Sequence, residues 1–332
     1  MDTTVSSVAF FLGAVVSLGA SWVLVSRLER VGKRLGFSES LLGVVAALTA
    51  DAPEITASVT ALAHHQQSVS AGVVMGSNVF NLAVLLGVGA VVAGRIALHR
   101  RVVMLGGVIA IFVSIVCLLT VAGVLSPIVA LVLVMVVLLT SFTVSASSSV
   151  LEHVALPDNW KAWIRAAVHE EEDELMVAIH PRAGSGGDAV VAAIATAVVV
   201  VASVAMERGA SSLGTRFGVA DAVVGGLVLA AVTSLPNAVA GIYLARRGRG
   251  AAALSTSLNS NAINVAAGFL LPTAIVGLSR AGGPGILTAS SYLALTGVIV
   301  VLAFVGRGLR RGSGWFIVSL YAAFVIALLA IT

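Results

Sequence analysis

The sequence predicts an all-α polytopic membrane protein: ten transmembrane helices in two inverted five-helix repeats, with broken helices at a central site. Three observations carry that expectation. The chain is 59% hydrophobic and 10% charged, with a mean hydropathy of +1.08, whereas a soluble domain is about 25% charged. Its apolar residues gather into ten long runs without period-two alternation, the pattern of helices and not of membrane strands. Two polar motifs recur in separate runs at one constant offset. The sequence pI of 9.8 therefore reflects where cations sit around a membrane, not nucleic-acid binding.

The first set of apolar runs covers about 5–25, 39–62, 70–93, 102–121 and 125–146. The second covers about 188–206, 218–245, 251–278, 286–305 and 315–331. Most exceed the roughly 20 residues that a helix needs to cross a ~30 Å hydrocarbon core. The first run has no Lys or Arg before it and Arg27, Arg30, Lys33 and Arg34 after it. That order marks an uncleaved span with an outside amino terminus. Cys117, the single cysteine, lies in an apolar run and reads as a small core filler.

Charge placement sets the direction of the whole chain. All but Arg208, Arg216 and Arg280 of the 19 Lys and Arg residues fall in the first, third, fifth, seventh and ninth loops. The excess marks those loops as cytoplasmic and places both termini outside. The longest connection, 147–187, is then a cytoplasmic linker between a first repeat at 1–146 and a second at 188–332. Within it Trp160, Trp163, Ile164 and Ala167 fall at helical spacing, predicting a short helix at the membrane interface. The following "HEEEDEL" reads as a solvated charge run and lacks the spacing of a calcium loop. His153, His169 and His180 share the linker without metal-motif spacing. His64, His65 and His99 sit at membrane edges.

The two polar motifs are "LTADAPEITAS" and "GSNVFN" in the first half, "AVTSLPNAVAG" and "NSNAIN" in the second. Aligning Pro53 on Pro236 sets an offset of 183 residues. The same offset pairs Asp51 with Ser234 and Glu54 with Asn237. It also pairs Ser77, Asn78 and Asn81 with Ser260, Asn261 and Asn264. One ungapped offset through two motifs indicates internal duplication. Five spans per copy, an odd number, give the second copy the opposite orientation.

Chemistry concentrates where helices should break. Pro53 has no N–H for the Thr49 carbonyl, and Pro236 none for that of Val232. Asp51 and Glu54, at i and i+3, can share one helical face. A lone buried charge costs several kcal/mol, so the pair calls for a cation, a proton or a wet cavity. Amide oxygens of Asn78, Asn81, Asn261 and Asn264 and hydroxyls of Ser77, Thr233, Ser234 and Ser260 complete an oxygen-only set. Such ligands suit Ca²⁺ or Na⁺. Singly, the Ser and Asn residues could serve as interhelical glue, and the prolines as kinks. Gly43, Gly225 and Gly226 permit close packing or motion nearby.

These motifs resemble those of the cation/calcium exchanger superfamily, whose repeats read approximately G-T-S-A-P-E or G-T-S-L-P-E, then G-S-N-x-x-N or G-S-N-x-x-D. The resemblance implies the ten-helix inverted plan. By similarity Glu54 matches the first calcium-site glutamate, while Asn237 stands at the glutamate position of the second copy. Asn264 occupies a position held by aspartate or asparagine. Ser77, Asn81, Ser234 and Ser260 match positions near sodium sites, and the carbonyls of Ala50 and Thr233 would face the central cation. Asp51 replaces the usual small hydroxyl residue. It restores the charge that Asn237 removes, keeping a total of −2 for one Ca²⁺ but shifting it toward the first repeat.

The resulting expectation is a secondary transporter of the cell membrane. It has no cofactor and no nucleic-acid partner, only inorganic cations and the bilayer; protein partners are left open. The resemblance implies sodium-driven calcium export, with calcium/proton antiport or a weakly active regulatory or structural homologue as alternatives. A channel fits inverted broken repeats less well, and no cofactor loop or nucleophilic constellation suggests an enzyme.

Overall fold

The computed structural model describes residues 2–35, 48–146, 157–178, 184–278 and 282–332. Gly43, His153, His180, Arg182 and Arg280 lie outside the described residues, as do the side chains of Lys33 and of the acidic run beyond Glu170. The described chain is helical almost throughout. Helix α1 is Thr3–Arg34, α2 Ala52–Ala63, α3 Gln67–Ala93, α4 Arg100–Val121 and α5 Pro127–Ala146. Helix α6, Asp158–Ala178, lies in the linker. The second half contains α7 Gly186–Phe217, α8 Asp221–Thr233 and α9 Leu235–Arg246. It continues with α10, which starts as Gly250–Ile263 and runs through Asn264–Leu270 into Leu271–Val276. Helices α11 Gly283–Gly306 and α12 Arg311–Ile331 complete it.

Seven described helices are long and apolar enough to cross a membrane, or eight when the α8–α9 pair, bent by 50°, is taken as one span. Two of the ten expected spans are not among these. Residues 39–47 of the second lie outside the described residues. In the eighth, α10 is a continuous helical run, but Asn259, Asn261 and Asn264 lower its hydropathy. The polar residues that make α10 interesting are the ones that hide it from a hydropathy test. Two helices also outrun their apolar stretches: α1 reaches Arg34 and α7 reaches Phe217, well beyond 25 and 206.

Helix boundaries repeat at the sequence offset. Adding 183 to α1 gives both ends of α7, and adding 183 to α2 gives both ends of α9. Helices α3 and α10, and α4 and α11, start at the same separation. Both α3 and α10 widen into π-helical turns at the end of their motifs, at Leu82–Val88 and Asn264–Leu270. Such turns disturb the regular ladder and are frequent at functional sites.

Helix α3 occupies the centre: 83% of its most apolar stretch is buried inside the protein, against 11% for α5 and 22% for α12. It packs on α2, α8, α10 and α11. Glycine lets α3 and α8 approach: a Cβ on Gly76 would lie 2.3 Å from the carbonyl oxygen of Gly226. At the periphery α1 and α7 form a long pair. Ser17 and Ser203 hydroxyls join them at 2.7 Å, and Arg27 reaches Asp188 at 2.6 Å. Asp188 also caps α7 through the Ser185 N–H at 2.7 Å.

No strand was expected from the sequence, yet two short ones occur outside the spans: Arg95–Ala97 pairs antiparallel with Gly308–Arg310. Gly308 has φ +126°, and a Cβ there would lie 2.1 Å from the Ile96 carbonyl oxygen, so glycine is required. Helix α6 packs against α4 and α10. Ala167 and Val168 are buried, Trp160 is exposed, and Arg101 bridges to Glu170 at 3.1 Å.

Candidate cation site

Two hinges build the site. Asp51 precedes α2 with φ −83° and ψ −4°, and Ser234 precedes α9 with φ −82° and ψ −3°. The agreement places the two motif copies in one backbone conformation. Pro53 and Pro236 each stand in the first turn of the following helix, where the missing N–H is tolerated. The Thr49 carbonyl that Pro53 cannot engage accepts a bond from Ser21 Oγ of α1 at 3.2 Å. Sequence reasoning did not single out Ser21, because nothing local marks a lone serine in an apolar helix.

Asp51 and Glu54 are both completely buried. Asp51 Oδ1 accepts from Asn237 Nδ2 at 2.7 Å and from Ser260 Oγ at 2.7 Å. Asn237 Nδ2 also lies 3.1 Å from Ser260 Oγ. Glu54 Oε1 accepts from Ser234 Oγ at 2.5 Å, and Oε2 from Asn264 Nδ2 at 2.5 Å. Asn78 and Asn261 each donate from Nδ2 to the other's backbone carbonyl, at 3.0 and 3.1 Å. Asn81 Nδ2 donates to Asn261 Oδ1 at 3.2 Å, and Asn264 Nδ2 to Asn78 Oδ1 at 3.4 Å.

These contacts cross over. Replacing each residue by its counterpart 183 positions away turns the Asp51–Asn237 contact into Glu54–Ser234. The same exchange turns Asn81–Asn261 into Asn264–Asn78. Partner separations are 186 and 180 residues in both cases. Crosswise pairing of this kind arises where two segments pass antiparallel on either side of a two-fold axis.

The remaining expected residues lie around this network in different ways. Ser77 is buried, but its Oγ turns back to the Val74 carbonyl at 2.9 Å. Thr233 Oγ1 likewise turns to Leu229 at 2.9 Å. Ala50 and Thr233 immediately precede the two hinge residues. Thus nine expected side chains form a connected or paired oxygen and amide network, while Ser77 and Thr233 spend their hydroxyl protons inside their own helices.

The donors that face the two carboxylates are neutral amides and hydroxyls. Among the described residues no Lys, Arg or His pairs with either acid. Three buried acceptor oxygens in this region have no hydrogen-bond partner: Asp51 Oδ2, Asn81 Oδ1 and Asn264 Oδ1. An unsatisfied buried acceptor costs about 1–3 kcal/mol, more when charged. Oxygen acceptors left over beside buried acids are what a hard cation would satisfy.

A model of the sodium/calcium exchanger protein family matches residues 5–146 and 188–330. The chain belongs to the sodium/calcium exchanger protein family. Family membership makes it a membrane transport protein and not an enzyme. Sodium/potassium/calcium exchanger 2 of Gallus gallus is 26% identical over 125 residues, covering 35% of this chain and 19% of that protein. Sodium/potassium/calcium exchanger 1 of Bos taurus is 27% identical over 125 residues, covering 35% of this chain and 10% of that protein. The alignments therefore span about a fifth or less of these curated relatives' length.

Likeness to solved structures extends over nearly the whole chain. The sodium-calcium exchanger NCX_Mj superposes with a TM-score of 0.63 at 18% identity, covering 98% of this chain and 99% of that one. The H⁺/Ca²⁺ exchanger CAX gives 0.68 at 12% identity, covering 98% and 87%. Both likenesses establish an exchanger fold.

Proposed function

We propose that this family member is a calcium antiporter of the cell membrane that moves Ca²⁺ outward against inward Na⁺ by alternating access. The observation that carries the reading is the pair Asp51 and Glu54: two fully buried acids, faced by neutral donors, beside three acceptor oxygens left without partners. Two carboxylates match the charge of one divalent cation. The similar proteins and fold neighbours are calcium exchangers, in support of that substrate class.

Charge has moved within the site. Where the family resemblance expects a glutamate at 237 and a hydroxyl at 51, this chain has Asn237 and Asp51, 2.7 Å apart. The two substitutions face each other, so the carboxylate has crossed the contact without leaving it. Ala50 and Thr233 supply backbone carbonyls at the hinges in this reading, and Ser77 an additional hydroxyl.

The architecture is ten spans in inverted repeats at 1–146 and 188–332, joined by a cytoplasmic linker at 147–187, with both termini outside. The crosswise hydrogen bonds and the repeated helix boundaries support the inversion. Helix α10, continuous from Gly250 to Val276, is read as a span although its asparagines lower its hydropathy.

Proteoliposomes loaded with calcium test the transport reading. Calcium efflux should accelerate when sodium is supplied outside. Acceleration by an external pH drop and not by sodium would replace sodium with protons as the driving ion. Absence of any gradient-driven cation flux would leave the family member without transport activity and overturn the reading.

A further inference from the structure

A second cluster of buried oxygens lies one helical turn beyond the acid pair. Ser58, four residues after Glu54 on α2, is fully buried, and Ser70 of α3 is 1% exposed. Ser58 Oγ lies 2.7 Å from the Gly268 carbonyl, 2.8 Å from Ser70 Oγ and 3.2 Å from the Ser70 carbonyl. Two hydroxyl protons thus serve four closely gathered oxygens. The Gly268 carbonyl is available because the residue four positions on is Pro272, which has no N–H to give it. Residues next to this cluster line a cavity of about 380 Å³: Ala71 follows Ser70, and Phe269 follows Gly268. The same cavity is bordered by Gln67, Asp221 and the carboxyl-terminal Thr332.

The equivalent place in the other repeat is sealed. Adding or subtracting 183 converts Ser58 to Gly241, Ser70 to Ala253, Gly268 to Leu85 and Pro272 to Gly89. Leu85 is fully buried and fills the space: a Cβ on Gly241 would lie 2.5 Å from Leu85 Cγ. Ala253 is also fully buried. One side of the acid pair therefore has hydroxyls and a freed carbonyl, and the other has a leucine plug with no side-chain oxygen.

We propose that Ser58 Oγ, Ser70 Oγ and the carbonyls of Ser70 and Gly268 form an accessory step for a monovalent alkali cation, between the cavity and the Asp51–Glu54 pair. The ligands are all neutral, which suits one positive charge; a divalent ion would keep its much larger desolvation cost uncompensated. The step lies on the outer side in the orientation proposed above and rests on the antiport reading. It makes the two approaches to the central site unequal: an oxygen-lined outer approach and an inner approach blocked by Leu85.

Two measurements on the full-length protein test it. In proteoliposomes, sodium is varied on one side at a time for the wild type, Ser58→Ala and Ser70→Ala. Each substitution should raise the half-saturating sodium concentration on the cavity side by about tenfold, the scale of one lost ligand, and leave the opposite side unchanged. Equal shifts on both sides, or none, overturn the step while leaving antiport standing. Labelling needs no transport: Ser58→Cys should react with a charged thiol reagent from the cavity side and be protected by sodium, whereas Ala253→Cys should resist from both sides. Failure of Ser58→Cys to label, or labelling without sodium protection, overturns the proposal whatever the flux shows.

Discussion

The first hinge holds both acids, and the second holds none. At the Glu54–Ser234 contact an acid from the first repeat meets a hydroxyl from the second, the pairing that the family motif leads one to expect. At the symmetry-related contact, Asp51 meets Asn237 at 2.7 Å. Both carboxylates thus belong to α2 and its hinge, and both amide or hydroxyl donors belong to the opposite helix. The contact geometry obeys the two-fold relation while the charge distribution violates it. In a site built by duplication, position is set by backbone hinges and prolines. Charge is free to change helices provided that it stays within one hydrogen-bonded contact.

The largest test of this contrast removes the acid that sits where the family expects one. Glu54→Gln preserves side-chain length but leaves Ser234 and Asn264 facing a neutral amide that brings donors of its own. Breaking a buried charge interaction costs about 3–5 kcal/mol. Gradient-driven calcium flux should fall at least a hundredfold. Flux within a few-fold of wild type would show that Glu54 is not a ligand.

Charge relocation has a sharper test, with a smaller expected effect. Asp51→Ser should weaken calcium binding about ten- to a hundredfold in titration calorimetry, since one of two charges is gone. Adding Asn237→Glu returns a carboxylate across the same contact and should recover most of that loss. Asn237→Glu alone would place three acids together and should reduce folding stability. A double variant that binds no better than Asp51→Ser would sink the relocation idea without touching the role of Glu54.

Close packing separates the halves in another way. Gly76→Ala puts a methyl group 2.3 Å from the Gly226 carbonyl oxygen, and backbone offers no cheap way to yield. Overpacking of this kind costs about 1–3 kcal/mol, so the variant's melting temperature in detergent should drop by several degrees. In the second repeat Asn259 occupies the counterpart of Gly76, and Asn259→Ala should change the melting temperature far less. Equal effects would mean that the α3–α8 approach is not tighter than its partner.

Much of this arrangement was legible in the sequence, for identifiable reasons. Proline and paired acids are so costly in hydrocarbon that they announce a site, and the ungapped offset of 183 is visible without any structure. What the sequence concealed was of two kinds. Hydropathy loses a span when its helix carries the site, as α10 shows with three asparagines. Hydroxyl orientation is set by competition between a helix's own carbonyls and its neighbours, so Ser77 and Ser260, identical in motif, point to Val74 and to Asp51 respectively. A motif specifies where a hydroxyl sits and leaves its partner to packing.

The smallest expected effect concerns how each hinge is supported from outside. Both prolines leave a carbonyl without its usual helical donor, at Thr49 and at Val232. Ser21 of α1 donates to the first at 3.2 Å, and Ser21 is fully buried. The counterpart of Ser21 in α7 is Val204, which has no proton to give. The peripheral pair α1–α7 therefore grips one hinge by a hydrogen bond and leaves the other to apolar contact. Ser21→Ala should cost about 1 kcal/mol, the net worth of one buried hydrogen bond, read as a small fall in melting temperature. Calcium affinity should stay near wild type, because Ser21 touches no acid. Val204→Ala, which removes no polar contact, should leave hydrogen exchange at the second hinge unchanged, while Ser21→Ala should speed it at the first. Faster exchange at both hinges in either variant would mean that α1 and α7 stabilise the site as a single unit and not through the Ser21 bond.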